Sequence, residues 1–135
     1  MLKIVLGVIA GFAAWSVLWV GTDQVIGLAS PAWYGAHQDA FALALDTKQP
    51  FNPDTTILGM HLIRAVIITL MSAFLAAFIA GENRRTPLIL GVLLLLFGIM
   101  VQAYAWNYLP LWYHLIFLGL LIPVSIVGGK IKQTA

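Results

Sequence analysis

The chain has 135 residues, of which 61% are hydrophobic and only 9% are charged. Soluble domains average roughly 25% charged residues, so this composition excludes an ordinary water-soluble domain and indicates an integral membrane protein. The seven lysines and arginines are scattered among apolar segments and form no basic stripe, so we expect no nucleic-acid partner. The absence of cysteine excludes disulfides and thiolate metal ligands.

The length of the chain predicts about four membrane-spanning helices, because one crossing takes roughly 20 residues. We therefore expect an all-α integral membrane protein with a single transmembrane domain, folded as a four-transmembrane-helix antiparallel bundle. The predicted spans are residues 2–28, 56–81, 88–106 and 111–127. The first span begins like a secretory signal, but its length and its tryptophans, Trp15 and Trp19, favour a retained helix.

The longest connection is an outer loop over residues 29–55, between the first two spans. Its segment HQDAFALALDT mixes apolar and polar residues, and two interpretations stay open: a short interfacial helix, or a loop that lies over the bundle. Asn52 or Asp54 is expected to cap the second span, with Pro53 in its first turn, and Gly81 is expected to end it.

The distribution of cations predicts the orientation. The cations at the termini and between spans two and three are Lys3, Arg84, Arg85, Lys130 and Lys132. The outer loop has one cation, Lys48, so the positive-inside rule places both termini in the cytoplasm. The plan resembles that of short four-span proteins of bacterial inner membranes, the expected location. The membrane-embedded glutamate of small multidrug transporters is absent, since Glu82 falls in a loop.

Polar residues of the spans fall at one depth, near the outer face. They form a predicted polar cluster of Asp23, Gln24, His61, Arg64, Gln102 and His114. Side chains lean toward the N-terminus of their own helix, so Asp23 and Arg64 lean toward each other, and we expect a hydrogen-bonded pair. The alternative is that Arg64 lies just under the interface and extends its guanidinium to water.

Small residues four positions apart indicate close helix packing. They are Gly7 and Gly11 in the first span, and Ala73 with Ala77, or Ala76 with Ala80, in the second. Trp15 and Trp19 continue the glycine face, which we expect to lie where the first two spans meet. An aromatic belt at the outer headgroup boundary is predicted from Trp33, Tyr34, Trp106, Tyr108, Trp112 and Tyr113.

Function is only weakly constrained, because the chain contains no nucleophile elbow, zinc-protease motif or phosphate loop. The favoured hypothesis is a non-enzymatic accessory or scaffolding subunit, whose partners are the lipid bilayer and other membrane proteins or a second copy. The alternative is a small oligomeric transporter or channel that uses the polar cluster. A lesser alternative is haem binding through His61 and His114. No cofactor or metal is expected, since a zinc site at His61 and His114 would lack an obvious third ligand other than Asp23 or His37.

Overall fold

The computed structural model describes residues 1–132, which form helices and no strand. The helices are α1 (Leu2–Ala29), α2 (Ala36–Thr47), α3 (Thr55–Ala80), α4 (Arg85–Tyr104) and α5 (Leu111–Ile131). A π-helical turn, Pro31–Gly35, leads into α2. Helices α1, α3, α4 and α5 are long and apolar enough to cross a membrane, so the chain is an all-helical integral membrane protein.

Helix α4 begins at Arg85, three residues before the predicted start at position 88. The earlier start follows because the Glu82 carboxylate binds the first backbone N–H groups of the helix. Glu82 accepts hydrogen bonds from the backbone N–H groups of Arg84, Arg85 and Thr86, at 3.1, 2.7 and 2.9 Å. Burial alone would raise the pKa of the Glu82 carboxyl, but these N–H groups together hold the pKa below its ordinary value. The ionised carboxylate thus caps the helix.

Helix α5 continues to Ile131, so the predicted end at position 127 is wrong. Gly128 does not end the helix there but lets α5 approach α3. A Cβ at Gly128 would lie only 2.6 Å from the carbonyl oxygen of Leu70. At the N-terminus of α3, Asp54 is the cap and accepts from the N–H of Thr56 at 2.8 Å, so Pro53 precedes the cap rather than occupying the first turn.

Helices α1 and α3 pack closely against each other through small residues. A Cβ at Gly7 would lie 2.5 Å from the carbonyl oxygen of Ala76, and one at Gly11 would lie 2.9 Å from the Ala76 methyl. Farther along, the indole N–H of Trp15 donates to the Thr69 hydroxyl at 3.0 Å. Successive contacts run forward along α1 and backward along α3, so these two helices run in opposite directions.

The two rows of alanines on α3 contact different neighbouring helices. Ala76 and Ala80 meet the glycines of α1, whereas Ala73 meets Gly128 of α5. Ala77 is fully buried as well. Helix α3 therefore lies between α1 and α5, and the glycine face of α1 packs on the Ala76–Ala80 row rather than on the Ala73–Ala77 row.

We expect Gly7→Ala to destabilise the protein, because the added methyl meets a backbone oxygen that cannot rotate away; overpacking of this kind costs about 1–3 kcal/mol. Gly21→Ala is the matched control on the same helix, since nothing lies within 4 Å of its Cβ position. Thermal unfolding followed by circular dichroism in one detergent should show a lower midpoint for Gly7→Ala alone. Equal midpoints for the two variants would contradict the α1–α3 packing.

Candidate functional site

The side chain of Arg64 is buried in α3, with 8% of the residue exposed, and every nitrogen of its guanidinium has a partner. Its Nε donates to the Thr22 hydroxyl at 3.1 Å, and Nη2 donates to the Trp19 carbonyl oxygen at 2.6 Å. Its Nη1 lies 2.8 Å from Tyr34 Oη and 2.9 Å from His61 Nδ1. The planar fork of arginine suits such a set, because its five donors point in fixed directions.

The charge of Arg64 is balanced by a carboxylate and an aromatic face. Its Nη1 lies 3.7 Å from Asp23 Oδ1, and the Asp23 side chain is 25% exposed. Its guanidinium carbon lies 4.3 Å from the ring centroid of Trp19, within cation–π range. Asp23 and Arg64 thus form an ion pair near the end of α1 without the direct hydrogen bond expected from the sequence. Arg64 is held inside the protein instead of reaching outward.

Tyr34 joins this pair, although the sequence placed it in the aromatic belt. Its hydroxyl donates to Asp23 Oδ1 at 2.6 Å while accepting from Arg64, and the residue is fully buried. Burial, and then the hydrogen bond to Asp23, raise the pKa of Tyr34 well above its usual range. The hydroxyl therefore stays neutral and bridges carboxylate and guanidinium.

A chain of hydrogen bonds extends from Asp23 to the start of α3. Gln38 Nε2 donates to Asp23 Oδ1 at 2.8 Å, and its Oε1 lies 2.9 Å from His37 Nδ1. His37 Nε2 accepts the backbone N–H of Asp54 at 3.1 Å, so the proton of the neutral ring is on Nδ1 and is donated to Gln38. These contacts fasten α2 to both α1 and α3. Neither His37 nor Gln38 was among the predicted site residues.

The predicted polar cluster divides into two groups, one around Arg64 and the other formed by Gln102 and His114. His114 contacts the Gln102 side-chain oxygen through Nδ1 and the Trp106 carbonyl through Nε2, the latter at 3.2 Å, and its ring stacks on Trp106. Among residues 1–132, no hydrogen bond or ion pair joins this pair to Arg64, so the six predicted residues do not form one network. Gln24 is exposed and lies outside both groups.

Within residues 1–132, no three histidine or carboxylate side chains are grouped so that they could hold a metal ion. No protein family model matches the chain, and comparison with curated proteins and with solved structures finds no match either. The function of the site is therefore argued from its own geometry.

We expect Arg64→Lys to destabilise the protein nearly as much as Arg64→Gln. The ammonium of lysine cannot make the five contacts that the planar guanidinium makes. Breaking a buried ion pair costs on the order of 3 kcal/mol. Ile63→Met, on the exposed side of the same turn, is the control, since Ile63 is 63% exposed. Thermal unfolding midpoints in detergent test this. An Arg64→Lys midpoint equal to wild type would instead indicate an arginine that extends to the interface.

The link between Asp54 and Trp33 should respond to acid. The hydrogen bond from the Trp33 indole N–H, at 2.8 Å, is the main cause that lowers the pKa of Asp54 below its ordinary value, with the Thr56 and Ile57 amides adding to it. Because the folded-state pKa is depressed, this contribution is complete above the ordinary aspartate range and is lost as the pH falls through the lowered pKa.

An NMR titration of the Trp33 indole N–H checks this expectation, with Trp33→Phe to assign the resonance. We expect a midpoint below the ordinary aspartate pKa of about 3.9. Asp54→Asn should remove the titration while keeping an oxygen for the helix cap. A midpoint at or above the ordinary value would contradict the contact.

Proposed function

We propose that this chain is a non-enzymatic accessory or scaffolding subunit of the bacterial inner (plasma) membrane, folded as an antiparallel four-helix bundle with both termini in the cytoplasm. The observation that carries the proposal is that the guanidinium of Arg64 finds its hydrogen-bond partners within the chain. All its nitrogens contact groups of the same chain, and Asp23 is engaged as well. Arg64 therefore serves to hold the helices together.

The same geometry argues against the two alternatives. A transport path through the Arg64 network would need polar groups there that are free to exchange partners with a substrate, yet each guanidinium nitrogen of Arg64 already has a partner. The Thr69 hydroxyl likewise accepts from Trp15. Haem ligation by a histidine pair needs a ring nitrogen on each histidine. Both nitrogens of His114 already contact Gln102 and Trp106.

The proposed orientation rests on charge. Arg84, Arg85 and Lys130 lie at the end where α3 meets α4 and α5 ends, which we assign to the cytoplasm. At the opposite end, α2 lies over the bundle as an interfacial helix. Its Phe41 ring packs near Phe51, with centroids 5.2 Å apart, and its polar residues reach the Asp23 network.

A mild-detergent purification of the full chain, tagged at the C-terminus and made at native levels, tests the accessory role. We expect co-purification of a partner subunit at fixed stoichiometry, with a mass above that of the chain and its homodimer. Arg64→Gln, if it still folds, should reduce recovery only in proportion to its lower stability.

The same protein reconstituted into vesicles should give no ion or proton flux above protein-free vesicles. A flux that Arg64→Gln abolishes, while Ile63→Met keeps it, would favour the transporter and overturn the accessory role. A fluorescent protein fused to the C-terminus should fluoresce, as a cytoplasmic fusion does. Activity of an alkaline phosphatase fusion there instead would reverse the proposed orientation.

A further inference from the structure

Helices α1 and α4 separate toward the end of the bundle that carries α2. Near their middle they touch, and the rings of Phe12 and Phe97 meet edge to face with centroids 5.4 Å apart. Beyond this contact a cleft of about 250 Å³ opens between the two helices, lined by Trp15, Val20 and Phe97 among others. The cleft is bounded by almost only apolar side chains.

A second cavity of about 160 Å³, here called the chamber, lies under α2 between α3, α4 and α5. Phe41 and Leu45 of α2 form its cover, and His61 and Tyr113 line it from α3 and α5. Trp19, Val101 and Gln102 line both cavities. The apolar cleft and the chamber are therefore adjacent, with Gln102 at their junction.

Three buried side chains that line the chamber keep a polar atom without a partner among residues 1–132. His61, 7% exposed, contacts Arg64 and Tyr34 only through Nδ1. Gln102, 4% exposed, makes its one side-chain contact with His114, which leaves the other atom of its amide without a partner. Tyr113, 3% exposed, has no hydrogen bond to its hydroxyl among the described residues. These three polar atoms are not enclosed by protein, although their side chains are buried, so they face the chamber and are open to a ligand there.

The protonation of His61 determines whether its free ring nitrogen donates or accepts a hydrogen bond in the chamber. Arginine is always a donor, so Nδ1 of His61 accepts from Arg64, and the neutral ring carries its proton on Nε2. The Tyr113 hydroxyl can donate as well. A ligand in the chamber must therefore supply hydrogen-bond acceptors.

We propose that the cleft and the chamber together bind an uncharged lipid, with its apolar chain between α1 and α4 and a carbonyl-bearing head accepting hydrogen bonds from His61 and Tyr113. An anionic head is disfavoured, because no lysine or arginine lines the chamber and the nearby Arg64 is already paired with Asp23. Aromatic and aliphatic walls with a few convergent donors are typical of sites for such ligands. This binding does not depend on the accessory role.

Two kinds of lipid present this chemistry: an isoprenoid-type quinone, through its ring carbonyl, and a monoacylglycerol, through its ester carbonyl. Binding to the full purified chain is measured by native mass spectrometry and by the shift of the thermal midpoint. The probes are decylubiquinone, monodecanoylglycerol, decanoate and decane. Saturable binding of either carbonyl probe supports the proposal and identifies which carbonyl head the chamber accepts.

Val101→Trp, in the wall shared by both cavities, should weaken binding by at least about tenfold, because the indole fills the cleft. Val92→Trp is the matched control, since Val92 and Val101 lie on the same helix with 41% and 40% exposed and Val92 lines neither cavity. Tyr113→Phe removes one hydroxyl and keeps the ring. It should weaken binding by several-fold, about the loss of one neutral hydrogen bond.

Three results would overturn the proposal. They are failure of both carbonyl probes to bind, equal or tighter binding of decane or decanoate, and unchanged binding by a folded Val101→Trp. Val101 and Val92 are both partly exposed on α4, so a large side chain is tolerated at either position. The thermal midpoints of the two variants without ligand show whether each is folded. The test remains decisive even if Tyr113→Phe is unstable.

Discussion

A guanidinium inside an apolar helix must find every hydrogen-bond partner within the protein, and this constraint organises one end of the molecule. Arg64 takes its partners from the last turns of α1, from the turn before α2 and from its own helix. Burying a charge is costly unless it is paired and hydrogen-bonded, so these segments cannot separate without exposing an unpaired cation to the bilayer. The position of α2 follows, because Tyr34 and Gln38 both bond Asp23.

The network depends in turn on how closely α1 approaches α3. The carbonyl of Trp19 can reach Arg64 only if the two backbones are near, and the glycines at positions 7 and 11 permit that approach farther along the same interface. Small residues thus set the distance between α1 and α3, and this distance is short enough for the polar contacts to form. Helix α4 is not drawn into this contact over its whole length, and its divergence from α1 beyond Phe12 opens the cleft.

His61 connects the structural network with the chamber. One ring nitrogen belongs to the Arg64 set, while the rest of the ring lines the cavity beside Tyr113. The hydrogen bond from Arg64 selects the tautomer, so a residue that stabilises the fold also determines which hydrogen-bonding group the cavity presents. A polar network that holds helices together can in this way prepare a donor for a ligand without a charged group in the site.

The sequence by itself determined the all-helical class, the four apolar segments and residues at which helices begin or end, because these follow from local composition and capping chemistry. Asp54 and Gly81 act at the ends of α3 as their local patterns indicate. Only the tertiary structure decided that Tyr34 bridges Asp23 and Arg64, that Gly128 is a packing residue within α5, and that Gln102 and His114 stand apart from Arg64. Nothing in the local sequence distinguishes Tyr34 from the other aromatic residues near it. Which side chain meets which depends on how helices distant in the chain are rotated and spaced, and local periodicity does not specify that.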